Sequence, residues 1–133
     1  MTHILIIGIK PGWFSEAGKK GYNMGESRSQ SQVEASVKKL QEDLRSLKNT
    51  TVETLQVLPG EDGDWEKLVE ALQKRHWDGI SFGGGLRRHP DLGDYFTQAI
   101  QMAMQENPGA KFLFPLVPDE VYPAIKEYIP QAV

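Results

Sequence analysis

The sequence predicts an α/β fold, a short three-layer sandwich built on a four-stranded parallel sheet. Three observations predict it. Apolar, β-branched runs at 3–9, 51–58, 79–82 and 111–116 have the length and composition of strands. The segment after each run repeats apolar residues at helical spacing. The two patterns alternate as βαβαβαβα, and strands that alternate with amphipathic helices pair in parallel, with helices on both faces.

The first strand, with Ile4, Leu5, Ile6 and Ile7 in succession, reads as buried on both faces. Residues 10–30 hold Gly12, Gly18, Gly21 and Gly25 among polar residues and read as one long loop. A helix from Ser31 to Lys48 is predicted by the stripe Val33, Val37, Leu40, Leu44 and Leu47, with Ser31 and Glu34 as a capping box. After the strand at 51–58, Pro59-Gly60-Glu61-Asp62-Gly63 is a turn, and Asp62 or Asp64 caps a helix that runs to Arg75. The third strand is Gly79–Phe82. The third helix begins near Pro90, turns Tyr95, Phe96, Ala99, Ile100 and Ala103 inward, and ends at Asn107-Pro108-Gly109. The last strand is 111–116. A short helix from Asp119 or Tyr122 follows, with Pro123 in its first turn.

Right-handed crossovers leave few topologies. The expected strand order is 2-1-3-4, similar to flavodoxin-like and Rossmann-like sheets. The likeness stops at the arrangement. Receiver domains carry acidic residues after strand 1 and a phosphoacceptor aspartate after strand 3, where this chain has Ile9-Lys10 and Gly83-Gly84. Flavodoxins carry a Ser/Thr-rich phosphate loop after strand 1, where this chain has Lys10-Pro11-Gly12-Trp13.

The 133 residues fit one domain, 1–133. A net charge of −3 argues against a nucleic-acid binder that depends on bulk electrostatics. With no cysteine, thiol nucleophiles, disulfides and Cys-based metal sites are excluded. The apolar run Ile4–Ile7 is too short for a signal-peptide core or a membrane span, so a cytoplasmic protein without a membrane partner is expected.

In such sheets ligands bind beyond the carboxyl ends of the strands, at the switch point between strands 1 and 3. The sequence puts Gly83-Gly84-Gly85-Leu86-Arg87-Arg88 there, opposite Lys10. Three glycines either make a tight packing turn or let backbone N–H groups approach a ligand. Arg87 is either neutralised by Asp91 and Asp94 or turned inward as a fork for carboxylate or phosphate. The ligand-binding candidates are therefore Gly83, Gly84, Gly85 and Arg87, with Lys10 and Arg28 as further cations. His89 is the one histidine expected near the rim, and it shares the role of candidate proton carrier with Glu16. The spacing H-x-x-x-H is absent, and although Gly79-Ile80-Ser81-Phe82-Gly83 has the letters G-x-S-x-G, Ser81 falls inside the third strand and not on a strand-to-helix elbow, so no metal, cofactor or serine nucleophile is expected. The leading expectation is a cofactor-independent enzyme for a small anionic metabolite. The alternative is a non-catalytic binding or assembly module, a homo-oligomer included, that uses the same rim or the aromatic residues Trp13, Phe14 and Tyr22 of the loop.

Overall fold

Ile4, Leu5, Ile6 and Ile7 are all buried, which a strand achieves only when both of its faces are covered. In the computed structural model, which describes residues 1–10, 13, 30–88 and 90–133, they lie in β1 (Thr2–Ile9), an interior strand. The strands β2 (Thr50–Val57), β3 (Gly79–Phe82) and β4 (Lys111–Leu113) complete a four-stranded sheet in the order β2-β1-β3-β4. Every pairing is parallel. β1 runs beside β2 from Thr2↔Thr50 to Ile9↔Val57, and beside β3 from Ile4↔Gly79 to Ile7↔Phe82.

The helices are α1 (Gln30–Leu44), α2 (Asp64–Gln73), α3 (Gly84–Arg88), α4 (Gly93–Glu106) and α5 (Val121–Tyr128). Alternation along the strands sorts the core into two layers. Leu5, Ile7, Ile9, Val57, Ile80 and Phe82 meet Leu68 and Leu72 of α2 and Ala99 and Ala103 of α4. Ile4, Ile6 and Leu113 meet Leu40 of α1 and Val121 and Ile125 of α5.

Element boundaries differ from the sequence reading in instructive places. α1 starts at Gln30, so Ser31 sits inside its first turn and is not its cap. Gly63, at φ 80, holds the N-cap position of α2 without a side-chain cap. The glycine run is not a free turn, because α3 begins at Gly84 directly after β3. A 3-10 turn at Pro90–Leu92 then divides α3 from α4, so the helix predicted from Pro90 starts at Gly93. β4 stops at Leu113, short of the predicted Leu116. Beyond it the Phe114 and Pro115 carbonyls are taken by Arg87, and Pro115 has no N–H for a ladder.

Gly84 explains why α3 can start so abruptly. A Cβ there would overlap the carbonyl oxygen of Leu116. At Gly93 a Cβ would meet no described atom within 4 Å. Gly84→Ala is therefore expected to lower stability by about 3 kcal/mol through backbone displacement, while Gly93→Ala leaves it within about 0.5 kcal/mol. Chemical denaturation of both variants checks the contrast.

Candidate functional site

Because all strands are parallel, their carboxyl ends form one rim. Crossovers leave β1 in opposite directions, so the switch point lies between β1 and β3. The Gly83 N–H donates to the Ile7 carbonyl at 2.8 Å, which fixes the start of α3 against β1. A Cβ on Gly83 would lie 3.4 Å from the Ile7 oxygen and 3.5 Å from the Gly8 Cα, a tight but bearable fit. Lys10 continues the ladder by donating its N–H to Val57 (3.1 Å), and its side chain is exposed.

Arg87 spans the exits of β3 and β4. Its Nη2 donates to the Phe114 and Pro115 carbonyls, each at 2.7 Å. The guanidinium also lies 5.6 Å over the Phe114 ring. Phe114 in turn stacks on Phe82 at 6.3 Å and meets Phe96 edge-on. Two backbone carbonyls and an aromatic face are thus among the contacts that hold Arg87 at the rim. Phe114 and Leu116 remain 43% and 51% exposed beside it.

The structure brings Lys10, Gly83, Gly84, Gly85 and Arg87 to the same rim. Gly84 is accounted for by packing against Leu116. Glu16, Arg28 and His89 lie outside the described residues. Trp13 is 4% exposed in the single chain. It is buried in the core layer beneath α2 and α4, and its indole N–H donates to the Pro59 carbonyl at 3.0 Å. His3 lies at the opposite edge, as expected. Its N–H and carbonyl pair with Asp78, and Arg75 Nη1 is 3.3 Å from its Nδ1.

One rim constellation was missed in the sequence reading. Asp64, expected with Asp62 as a candidate helix cap, is buried. Its Oδ1 accepts the Leu58 N–H at 2.6 Å and its Oδ2 accepts the Tyr95 hydroxyl at 2.7 Å. Trp65 packs edge-on to Tyr95 at 5.8 Å. The carboxylate therefore ties the exit of β2 to α2 and α4. Burial, reinforced by the Asp64 hydrogen bond and charge, pushes the Tyr95 phenol well above its ordinary range, so it stays a neutral donor. The only sequence signal was an aspartate one position after a glycine cap. Nothing in the spacing links residue 64 to residue 95.

Elsewhere, a groove of about 540 Å³ runs along α2, lined by Trp65, Glu66, Val69, Glu70, Gln73 and Lys74. Its walls come from one helix. Among the described residues no three His, Asp or Glu side chains converge as metal ligands. No helix among them is long and apolar enough to cross a membrane. No protein-family model matches the chain, and neither the curated proteins nor the solved structures contain a significant match.

Two outcomes are expected. Arg87→Lys removes the planar group that lies over Phe114 while its Nη2 reaches two carbonyls, and lowers stability by about 1–2 kcal/mol in denaturant titrations. Tyr95→Phe leaves one oxygen of the buried carboxylate without its donor and costs about 1–3 kcal/mol at neutral pH. Because folding raises the phenol's pKa, that contribution is complete below the ordinary tyrosine range of about 10 and is lost as pH rises above it. The stability gap between wild type and Tyr95→Phe, followed by urea melts from neutral to alkaline pH, is expected to close in that direction.

Proposed function

We propose that the rim between β1 and β3 binds a small anionic metabolite, carboxylated or phosphorylated, and that the chain is a cofactor-independent enzyme acting on it. One observation carries this reading. The reversal of strand order at β1 and β3 places the exposed Lys10 at the exit of one strand and the anchored Arg87 beyond the exit of the other. Parallel sheets present ligands with this crevice. Two cations, one exposed and one anchored, suit a ligand carrying negative charge. Exposed Phe114 and Leu116 supply an apolar shoulder for its carbon skeleton. In this reading proton transfer falls to His89 or Glu16, and Gly85 lets the backbone approach the ligand, while the Gly83 N–H is held by Ile7. The same exposed Phe114 and Leu116 favour the second reading, a binding or assembly module without chemistry.

Thermal shift against phosphate, sulfate, carboxylates and nucleotides tests the proposal. A ligand at about 100 times its Kd adds about 2.7 kcal/mol of stability. Lys10→Ala is expected to weaken that response about tenfold and to leave the melting temperature of the free protein unchanged. If no anion stabilises the chain, or if Lys10→Ala responds as wild type does, the rim is not an anion site. Turnover of a stabilising ligand, lost in His89→Ala or Glu16→Ala, separates the enzyme from the binding module.

A further inference from the structure

The exits of the four strands are apolar. Residues 9–10, 58–60, 83–86 and 114–117 form them, and Lys10 is the one residue in these segments with a polar side chain. Hydrogen bonds to a ligand would otherwise have to come from the backbone, and much of it is already engaged. The Lys10 carbonyl accepts from Trp13, the Leu58 carbonyl from Glu61, the Gly83 carbonyl from Leu86 and the Val117 carbonyl from Glu120. The Leu58 N–H is held by Asp64 and the Leu116 N–H by Glu120. Trp13 takes the Pro59 carbonyl, and Arg87 takes those of Phe114 and Pro115.

A ligand rich in hydroxyl groups would give up water at this rim and find few partners among the described residues. What the rim offers instead is apolar surface. Phe114 and Leu116 are both exposed, and Phe82 and Phe96 hold the Phe114 ring from behind. We infer that the rim takes an amphiphile: a small acid whose single anionic head meets Lys10 and whose tail, free of hydroxyl groups, lies against Phe114 and Leu116. This inference rests on the anion reading above and narrows its ligand class.

Strand order sets the size of that ligand. β3 lies between β1 and β4, so the exits that carry Lys10 and Phe114 are two strand spacings apart, about 10 Å. A flexible lysine stem covers part of this span, and a tail of about six carbons covers the rest. A surface that stays half open to solvent returns only part of the transfer energy of a buried methylene. Lengthening the tail from acetate to hexanoate is therefore worth about tenfold in affinity.

Chemical-shift titration of the full chain with matched probes tests this. Hexanoate is expected to bind about tenfold tighter than acetate, and gluconate no tighter than acetate. Hexyl phosphate is likewise expected to bind about tenfold tighter than mannitol phosphate. Leu116→Ser removes an exposed side chain and keeps the backbone contacts of residue 116. It is expected to erase the gain from the tail, with acetate binding and melting temperature retained. Should that variant fail to fold, the wild type decides: hexanoate must shift the Leu116 methyl and Phe114 ring signals more than acetate does. Gluconate binding as tightly as hexanoate overturns the inference. So does a tail gain that survives Leu116→Ser, or hexanoate binding undiminished in Lys10→Ala. Anions that bind through Lys10 but are indifferent to the tail overturn this inference alone, whereas a chain that binds none of the probes also overturns the reading beneath it.

Discussion

The C-terminal rim depends on the absence of a side chain at Gly84. The carbonyl of Leu116 occupies the space where a Cβ would lie. That contact allows a helix to begin one residue after Gly83, whose N–H is bound to β1. It also brings the exit of β4 close enough for Arg87 to reach two of its carbonyls. Backbone proximity, not a side-chain cluster, therefore sets the distance between the exits of β3 and β4. The aromatic group of Phe82, Phe96 and Phe114 fills the space that this closeness creates.

Side chains hold backbone groups at both ends of the sheet. Near the amino ends of the strands, the Asp78 carboxylate accepts the His3 N–H, and Glu53 of β2 pairs with Lys74 and Arg75. Buried Asn107 accepts from the Trp77 N–H and donates to the Leu72 carbonyl, joining the end of α2, the approach to β3 and the end of α4. At the carboxyl ends, side chains bind backbone: Trp13 to Pro59, Asp64 to Leu58, Arg87 to Phe114 and Pro115. Fixing backbone groups with side chains leaves fewer backbone donors and acceptors facing each other across the rim. It also makes these three residues scaffold first, whatever else they do.

The layout of the fold was legible because it rests on periodicity. Ile4–Ile7 had to be covered on both faces, and the apolar spacing of Leu68 and Leu72, or of Ala99 and Ala103, had only one face to bury. The strand order followed from crossover handedness. Residue roles at the rim were less legible, because they depend on contacts between residues far apart in sequence. Tyr95 carried a helical-face signal and reads as core, yet its hydroxyl serves Asp64. Trp13 sat among glycines and polar residues and read as a loop aromatic available to a ligand or a partner, yet it is 4% exposed in the single chain. The triple glycine supported two readings from sequence. The neighbour that decides for Gly84, Leu116, is more than thirty residues further along the chain.

The position of β1 in the sheet also shapes how the chain acquires its structure. The first strand in sequence is an inner strand, and both of its partners come later. Bonding between His3 and Asp78 closes a separation of 75 residues. Pairings of this range carry a large entropic cost before they return any contact energy, which slows folding relative to helical bundles of the same size. During synthesis at the ribosome, Ile4, Leu5, Ile6 and Ile7 emerge well before β3 exists to cover them. That early interval exposes an uncovered run of four apolar residues, and it is where a chaperone would act.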